Sequence, residues 1–284
     1  MHQLHKKFCL EGFDSKGVLT SFSVNCPYNF NFAYDVVDQI AKEEPERRAM
    51  IWTNVEGEER FFTFGDMMRY SNQVANLFRS YGIGKGDMVM LVLKRHYQFW
   101  FSILALHKLG AVAIPATHLL TTKDFTYRFD SATVKAVVCT SDGDVAKYVD
   151  EAEMQYGPLA AKFMARGNRP GWVDFDQEMA EMSDSLERVE TVYTDPMLLY
   201  FTSGTTGYPK MVLHDFSYPL AHIITAKHWH NVDSDGIHLA VSDTGWGKAV
   251  WGKLYGQWLM GTCVFVYDYD KFVPADLLGI IEKY

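Results

Sequence analysis

Cysteine is scarce: the 284 residues hold four, Cys9, Cys26, Cys139 and Cys263. None stands in a CxxC pair and the gaps are long and uneven. That argues against a zinc knuckle and against a disulfide framework, and leaves reduced, mostly buried thiols as the expectation. Positive charge is short as well, with 27 Lys and Arg against 35 Asp and Glu and a net charge of −8. A chain of that sign is a poor general binder of nucleic acid or anionic lipid. Long apolar runs are missing. The most apolar stretch, residues 99–116, is broken by His107 and Lys108 and falls short of the roughly 18 residues a membrane span needs. The start, MHQLHKKFCLEGF, has basic residues but no apolar stretch behind them, so it does not read as a secretory signal. It is also poor in Arg and Ser for a mitochondrial presequence. The expected compartment is the cytoplasm.

Apolar material is plentiful. Hydrophobic residues make up 48% and charged residues 22%, with 19 Phe, 16 Tyr and 7 Trp. Such a chain can bury a large core, which excludes wholesale disorder. Its length suits one large domain or two modest ones.

Residues 1–28 show no clear periodicity and read as an N-terminal arm. From Asn29 an apolar stripe of Ala33, Val36, Val37, Ile40 and Ala41 predicts a helix that Pro45 ends. Short strands follow near 49–53 and 60–62. Thr63 and Asp66 make a capping box for a helix closed by Gly82. Strands at 88–93, 111–115 and 135–140 then alternate with helices at 97–109, 121–131 and 145–155. Strands apolar on both faces and separated by helices predict a parallel sheet covered on both sides. Residues 157–195 are rich in Gly, Pro and charge and read as a boundary. Beyond it the pattern gives strands at 197–202 and 210–214, a helix at 218–230, a strand at 237–241, a helix at 248–260, a strand at 263–267 and a helix from 274. The division expected is an arm (1–28), a first αβ subdomain (29–190) and the start of a second (191–284).

The chemistry concentrates in LYFTSGTTGYPKM, residues 199–211. A buried strand delivers the chain to a turn with hydroxyls and glycines. Glycines admit positive φ and leave N–H groups exposed, and successive N–H groups turned inward make an anion nest. Ser203, Thr205 and Thr206 add donors, and Lys210 adds a mobile positive charge. That inventory suits a polyphosphate. It is not a Walker A loop, because GxxxxGK[ST] begun at Gly204 would need glycine where Pro209 stands. A bare Gly-Thr-Thr-Gly favours a ligand-free hairpin; the strand, loop, lysine and strand arriving in order reverse that and favour the phosphate reading. His222, His228, His230 and His238 fall within seventeen residues. His228 and His230 lie about 200° apart on a helix, and no carboxylate accompanies them at ligand spacing. No metal site is expected from them.

YFTSGTTGYPK (200–210) resembles the phosphate-loop signature of the adenylate-forming enzymes. NFAYDVV (31–37), FFTF (61–64), KLGAVAIP (108–115) and THLLTTKD (117–124) are similar to the acetyl-CoA and medium-chain acyl-CoA synthetase branch, and SDTGW (242–246) resembles its acyl-pocket segment. The likeness covers residues 29–284. It implies an α/β fold of stacked αβ subdomains, with mostly parallel sheets covered by helices, as part of the large N-terminal domain of an acyl-CoA synthetase. It also implies an AMP-forming reaction of ATP, with magnesium, a short- or medium-chain carboxylic acid and coenzyme A, and no tightly bound cofactor. Thr202, Ser203, Gly204, Thr205, Thr206, Gly207 and Lys210 would grip the β- and γ-phosphates. Asp243, Gly245 and Trp246 would line the acyl site, although Trp246 taken alone reads more readily as core and only the resemblance brings the two readings level. Trp251, Tyr255 and Trp258 have helical spacing and read first as a packing face. The family's adenine-binding segment, its Thr-Glu motif, its ribose-binding Asp and its lid domain with the catalytic Lys find no match in residues 1–284. The sequence therefore reads as an N-terminal fragment with doubtful activity of its own. Two alternatives stand beside that reading: an aryl-CoA ligase or carrier-protein loader, and a non-catalytic nucleotide-binding remnant. A sheet ending near Tyr284 would expose apolar edge that a homo-oligomer could cover.

Overall fold

The computed structural model describes residues 3–203 and 207–284. Residues 9–24, without periodicity in the sequence, fold as an antiparallel hairpin of β1 (Cys9–Phe13) and β2 (Leu19–Val24). Leu4, Phe8 and Cys9 beside it are buried, so the arm is packed against the body. The stripe from Ala33 to Ala41 is buried as its spacing requires. It is wound first as a π-helical turn, Ala33–Asp38, and then as α1 (Gln39–Glu43). β3 (Arg48–Asn54) and β4 (Glu59–Thr63) form a second hairpin. Thr63 Oγ1 accepts from the Asp66 N–H and Asp66 accepts from the Thr63 N–H, which starts α2 (Phe64–Ser80).

The alternation that follows is β5 (Met88–Val92), α3 (Gln98–Leu109), β6 (Val112–Pro115), α4 (Thr122–Ala132), β7 (Val134–Thr140) and α5 (Val145–Tyr156). Gly110, at φ 69°, closes α3, and a second capping box at Thr121 and Asp124 opens α4. The stretch read as a boundary holds structure of its own: β8 (Ala161–Ala165), β9 (Val173–Asp174) and α6 (Phe175–Glu181). Next come β10 (Pro196–Thr202), β11 (Lys210–Asp215), α7 (Tyr218–Ile224) and β12 (Ile237–Leu239). Residues 248–260 are two helices rather than one. α8 (Gly247–Lys253) breaks from α9 (Tyr255–Leu259) at Leu254, whose φ and ψ are −147° and −86°. β13 (Cys263–Asp268) and α10 (Pro274–Lys283) follow.

The strands make two large sheets beside the β1–β2 hairpin. One runs β11-β10-β6-β5-β7-β8-β9 and the other β12-β13-β3-β4. Pairing is parallel except at β10–β11 and β3–β4. Sheet membership does not change at residue 190. β10 and β11 extend the sheet built by residues 88–174, while β12 and β13 join the sheet begun by residues 48–63. The two sheets meet at strand carboxyl ends. His96 Nδ1 lies 2.7 Å from Asp268, at the end of β13, and its Nε2 lies 2.8 Å from Thr140, at the end of β7. Lys94 bridges Asp142 and Asp270 in the same place. Trp52, Trp100 and Trp258 sit fully buried in the shared core. All four cysteines are free thiols; Cys26 is half-buried and the others are buried. Among the described residues, no helix is long and apolar enough to cross a membrane.

Candidate active site

The loop stands on an antiparallel hairpin. Thr202 ends β10, Lys210 begins β11, and the two are register partners. Gly207, at φ 86°, uses the left-handed freedom that glycine supplies. Thr202, Ser203, Gly207 and Lys210 are exposed. Gly204, Thr205 and Thr206 lie outside the described residues. Period-two alternation puts Lys210, Val212 and His214 on one face of β11.

The 242–246 segment is held from behind. Thr244 donates through its N–H (3.0 Å) and its hydroxyl to the Lys94 carbonyl after β5. Asp243 is buried; its Oδ1 accepts from the Gly245 N–H at 2.8 Å and its Oδ2 lies 3.3 Å from His118 Nδ1. Asp243 therefore shapes the turn and does not line the cavity in front of it. Gly245 crosses the exit of β6 at close range. A Cβ there would lie 2.3 Å from the Thr117 nitrogen, so only glycine fits. Trp246 is 60% exposed and is not core. Tyr255 and Trp258 are fully buried, as their helical spacing implies, and Trp251 stacks on Trp229 at 5.7 Å.

The two motifs share one cavity of about 610 Å³. Thr202 and Ser203 reach it from the loop base, and Gly245 and Trp246 from the other segment. Lys210 stands outside its lining. The remaining walls include Tyr200, His214, Tyr218 and Trp251, with Arg128 from α4. Sequence reasoning missed His214, Tyr218 and Arg128. The alternation of β11 carried a signal for His214, since it shares a face with Lys210. Burial holds the His214 imidazole below its usual pKa and pushes the Tyr218 phenol up to about 12. The His214 and Tyr218 side chains are therefore uncharged near neutral pH. The His214 and Tyr218 rings pack 4.1 Å apart. His230 joins aromatic packing, 5.2 Å from His238 and 5.5 Å from Trp251.

Comparison with known proteins gives this geometry a setting. Residues 37–284 match the family described as AMP-binding enzyme. The chain is 34% identical over 271 residues to acyl-coenzyme A synthetase ACSM3, mitochondrial, of Homo sapiens, covering 93% of this chain and 46% of that protein. The acyl-CoA synthetase of Brucella canis superposes with a TM-score of 0.80 at 25% identity, over 89% of this chain and 46% of that one. The anthranilate CoA ligase AuaEII, crystallised with anthranoyl-AMP, shares the fold with a TM-score of 0.79 at 19% identity, over 91% of this chain and 49% of that one. The chain spans about half the length of the curated relatives it matches.

Proposed function

The chain belongs to the AMP-binding enzyme family, and on that premise we propose that it carries the phosphate grip and one acyl wall of an AMP-forming acid–CoA ligase. In this reaction a carboxylate oxygen attacks the α-phosphorus of ATP and pyrophosphate leaves. The coenzyme A thiol then displaces AMP to give the thioester. The leaving pyrophosphate carries the developing charge, so donors and a cation fixed around it lower the barrier. Thr202, Ser203, Gly204, Thr205, Thr206, Gly207 and Lys210 supply those donors and that cation. Magnesium arrives with ATP and is held mainly by phosphate and water. Gly245 and Trp246 wall the acid, and Asp243 holds their turn.

One observation carries the reading: the loop base and the 242–246 segment open onto the same cavity. Binding of Mg-ATP to residues 1–284, followed calorimetrically, tests the phosphate half. Lys210→Ala is expected to weaken it about tenfold or more, the loss typical of a charge-assisted contact. Unchanged affinity would remove the assignment. For the acid, the branch resemblance favours a short or medium alkyl chain. The rings of Tyr200, Phe201, Tyr218, Trp246 and Trp251 along the cavity favour a second reading, a flat aryl acid. Titration with octanoate and with benzoate, with Trp246→Ala as control, separates the two by which acid binds tighter.

A further inference from the structure

We propose that Tyr127 on α4 is a positioning residue for the phosphate loop, holding the loop's exit through Tyr208 and Pro209 and thereby fixing where Lys210 enters β11. The inference rests on the reading of residues 202–210 as a phosphate grip.

Two contacts of different kinds meet on this side chain. The Tyr127 hydroxyl donates to the Pro209 carbonyl at 2.9 Å. Its ring stacks on that of Tyr208, with centroids 4.6 Å apart and planes at 16°. The Pro209 carbonyl shares its planar peptide unit with the Lys210 nitrogen, so holding that carbonyl orients the peptide that leads into Lys210. The other side of the loop is held by the same helix. The Tyr127 ring lies 6.1 Å from Phe201, and the Arg128 guanidinium sits 5.0 Å over the Phe201 ring. One turn earlier, Lys123 places its ammonium 5.9 Å over Tyr208. Lys123, Tyr127 and Gly207 also line one small cavity of about 360 Å³. α4 thus touches the hairpin on both sides of the loop. The helix is itself fixed, by its capping box and by the buried rings of Phe125 and Phe129.

The reason for such a clamp is entropic. Fixing the backbone of a loop around an anion costs conformational entropy, and a glycine such as Gly207 has the most to lose. Holding its exit in advance leaves less to lose, which is affinity gained without a new ligand contact. Tyr208 is 59% exposed, so its stack adds little to the core. Releasing it should be felt locally.

Tyr127→Phe keeps the stack and removes the hydrogen bond; Tyr127→Leu removes both. Hydrogen exchange of the Gly207, Tyr208, Lys210 and Met211 amides is measured first, because it needs no ligand. Faster exchange at these amides in the Leu variant, a smaller increase in the Phe variant, and an unchanged melting temperature are the expected results. Mg-ATP affinity should fall in the same order, by about tenfold for Leu, as lost preorganisation predicts. Unchanged exchange in Tyr127→Leu would overturn the proposal. So would faster exchange spread over the whole chain, which marks ordinary destabilisation. Lys210→Ala keeps the two ideas apart. If the unaltered chain and Lys210→Ala behave alike toward Mg-ATP, the phosphate reading fails, and the exchange data still decide whether Tyr127 holds the loop.

Discussion

Lys253 is buried at 1% exposure at the end of α8. Its ammonium donates to the carbonyls of Ala240 (3.1 Å) and Ser242 (2.5 Å), where the chain leaves β12 for the Asp243–Trp246 turn. Burial pushes its pKa down to about 7; Arg95 adds to the fall, and Asp243 and Asp268 oppose it. Unfolded, the group titrates near 10.5. Between these values the unfolded chain binds more protons than the folded one, so stability contributed at this site rises with pH from about 7 to about 10.5. The penalty of the buried charge is fully present below 7. Lys253→Met keeps the apolar stem and removes the titration, while stranding two carbonyls at a cost of about 1–3 kcal/mol. The melting temperature of the native chain should therefore rise relative to that of the variant from pH 7 to pH 10. A gap that stays constant would show that Lys253 does not titrate there. Nothing in the sequence around Lys253 marks it. Its role comes from residues eleven to thirteen positions away that the fold turns toward it. Gly245 and Trp246 were singled out by a short contiguous motif, and both line the cavity.

Elements were legible where their causes are local. Both capping boxes, at Thr63 and Thr121, lie within four residues and stand as read. The β1–β2 hairpin was not legible, since its hold on the body comes from residues far along the chain. Glu11 of β1 accepts from Lys227, and from His228 Nε2 at 2.7 Å, both just beyond α7. Partial burial pushes the Glu11 pKa up, but the hydrogen bonds from Lys227 and His228 outweigh it and hold the carboxyl below its ordinary value. A depressed carboxylate stabilises fully above its unfolded value and loses that contribution as pH falls through the folded one. The latch should therefore hold at neutral pH and open in acid below the ordinary Glu range. Glu11→Gln at pH 7 should raise hydrogen exchange across residues 9–24 while leaving β5 and β7 protected, because local openings report local contacts. Protection of the hairpin equal to that of the unaltered chain would show that the latch carries no weight. β8 and β9 were missed for a related reason. They are short, and the Gly-, Pro- and charge-rich turns around them dilute any window wide enough to show periodicity.

At the scale of the whole molecule, composition and alternation were enough to give an αβ fold with mostly parallel sheets. The order of strands within the sheets was not available from them, because pairing partners are chosen by tertiary packing. The consequence is concrete. β3 is flanked by β4 on one side and by β13 on the other, with Met50 to Asn54 in parallel register with Val264 to Asp268. The Trp258 indole, fully buried, donates to the Ala49 carbonyl at 3.0 Å. The Arg47 guanidinium reaches the Gly261 carbonyl at 2.8 Å. The β10–β11 hairpin, which carries the loop, pairs through Leu198 with Ala113 of β6. Residues 1–190 therefore leave one sheet without its central neighbour and the other with β6 as a raw edge. Expressed alone, residues 1–190 should give no cooperative thermal transition by circular dichroism, whereas residues 1–284 should melt as one. A sharp transition from 1–190, with the Trp52 indole still buried by fluorescence, would show that the first αβ layer folds without β13. In that case the boundary near residue 190 would be a folding boundary even though the sheets cross it.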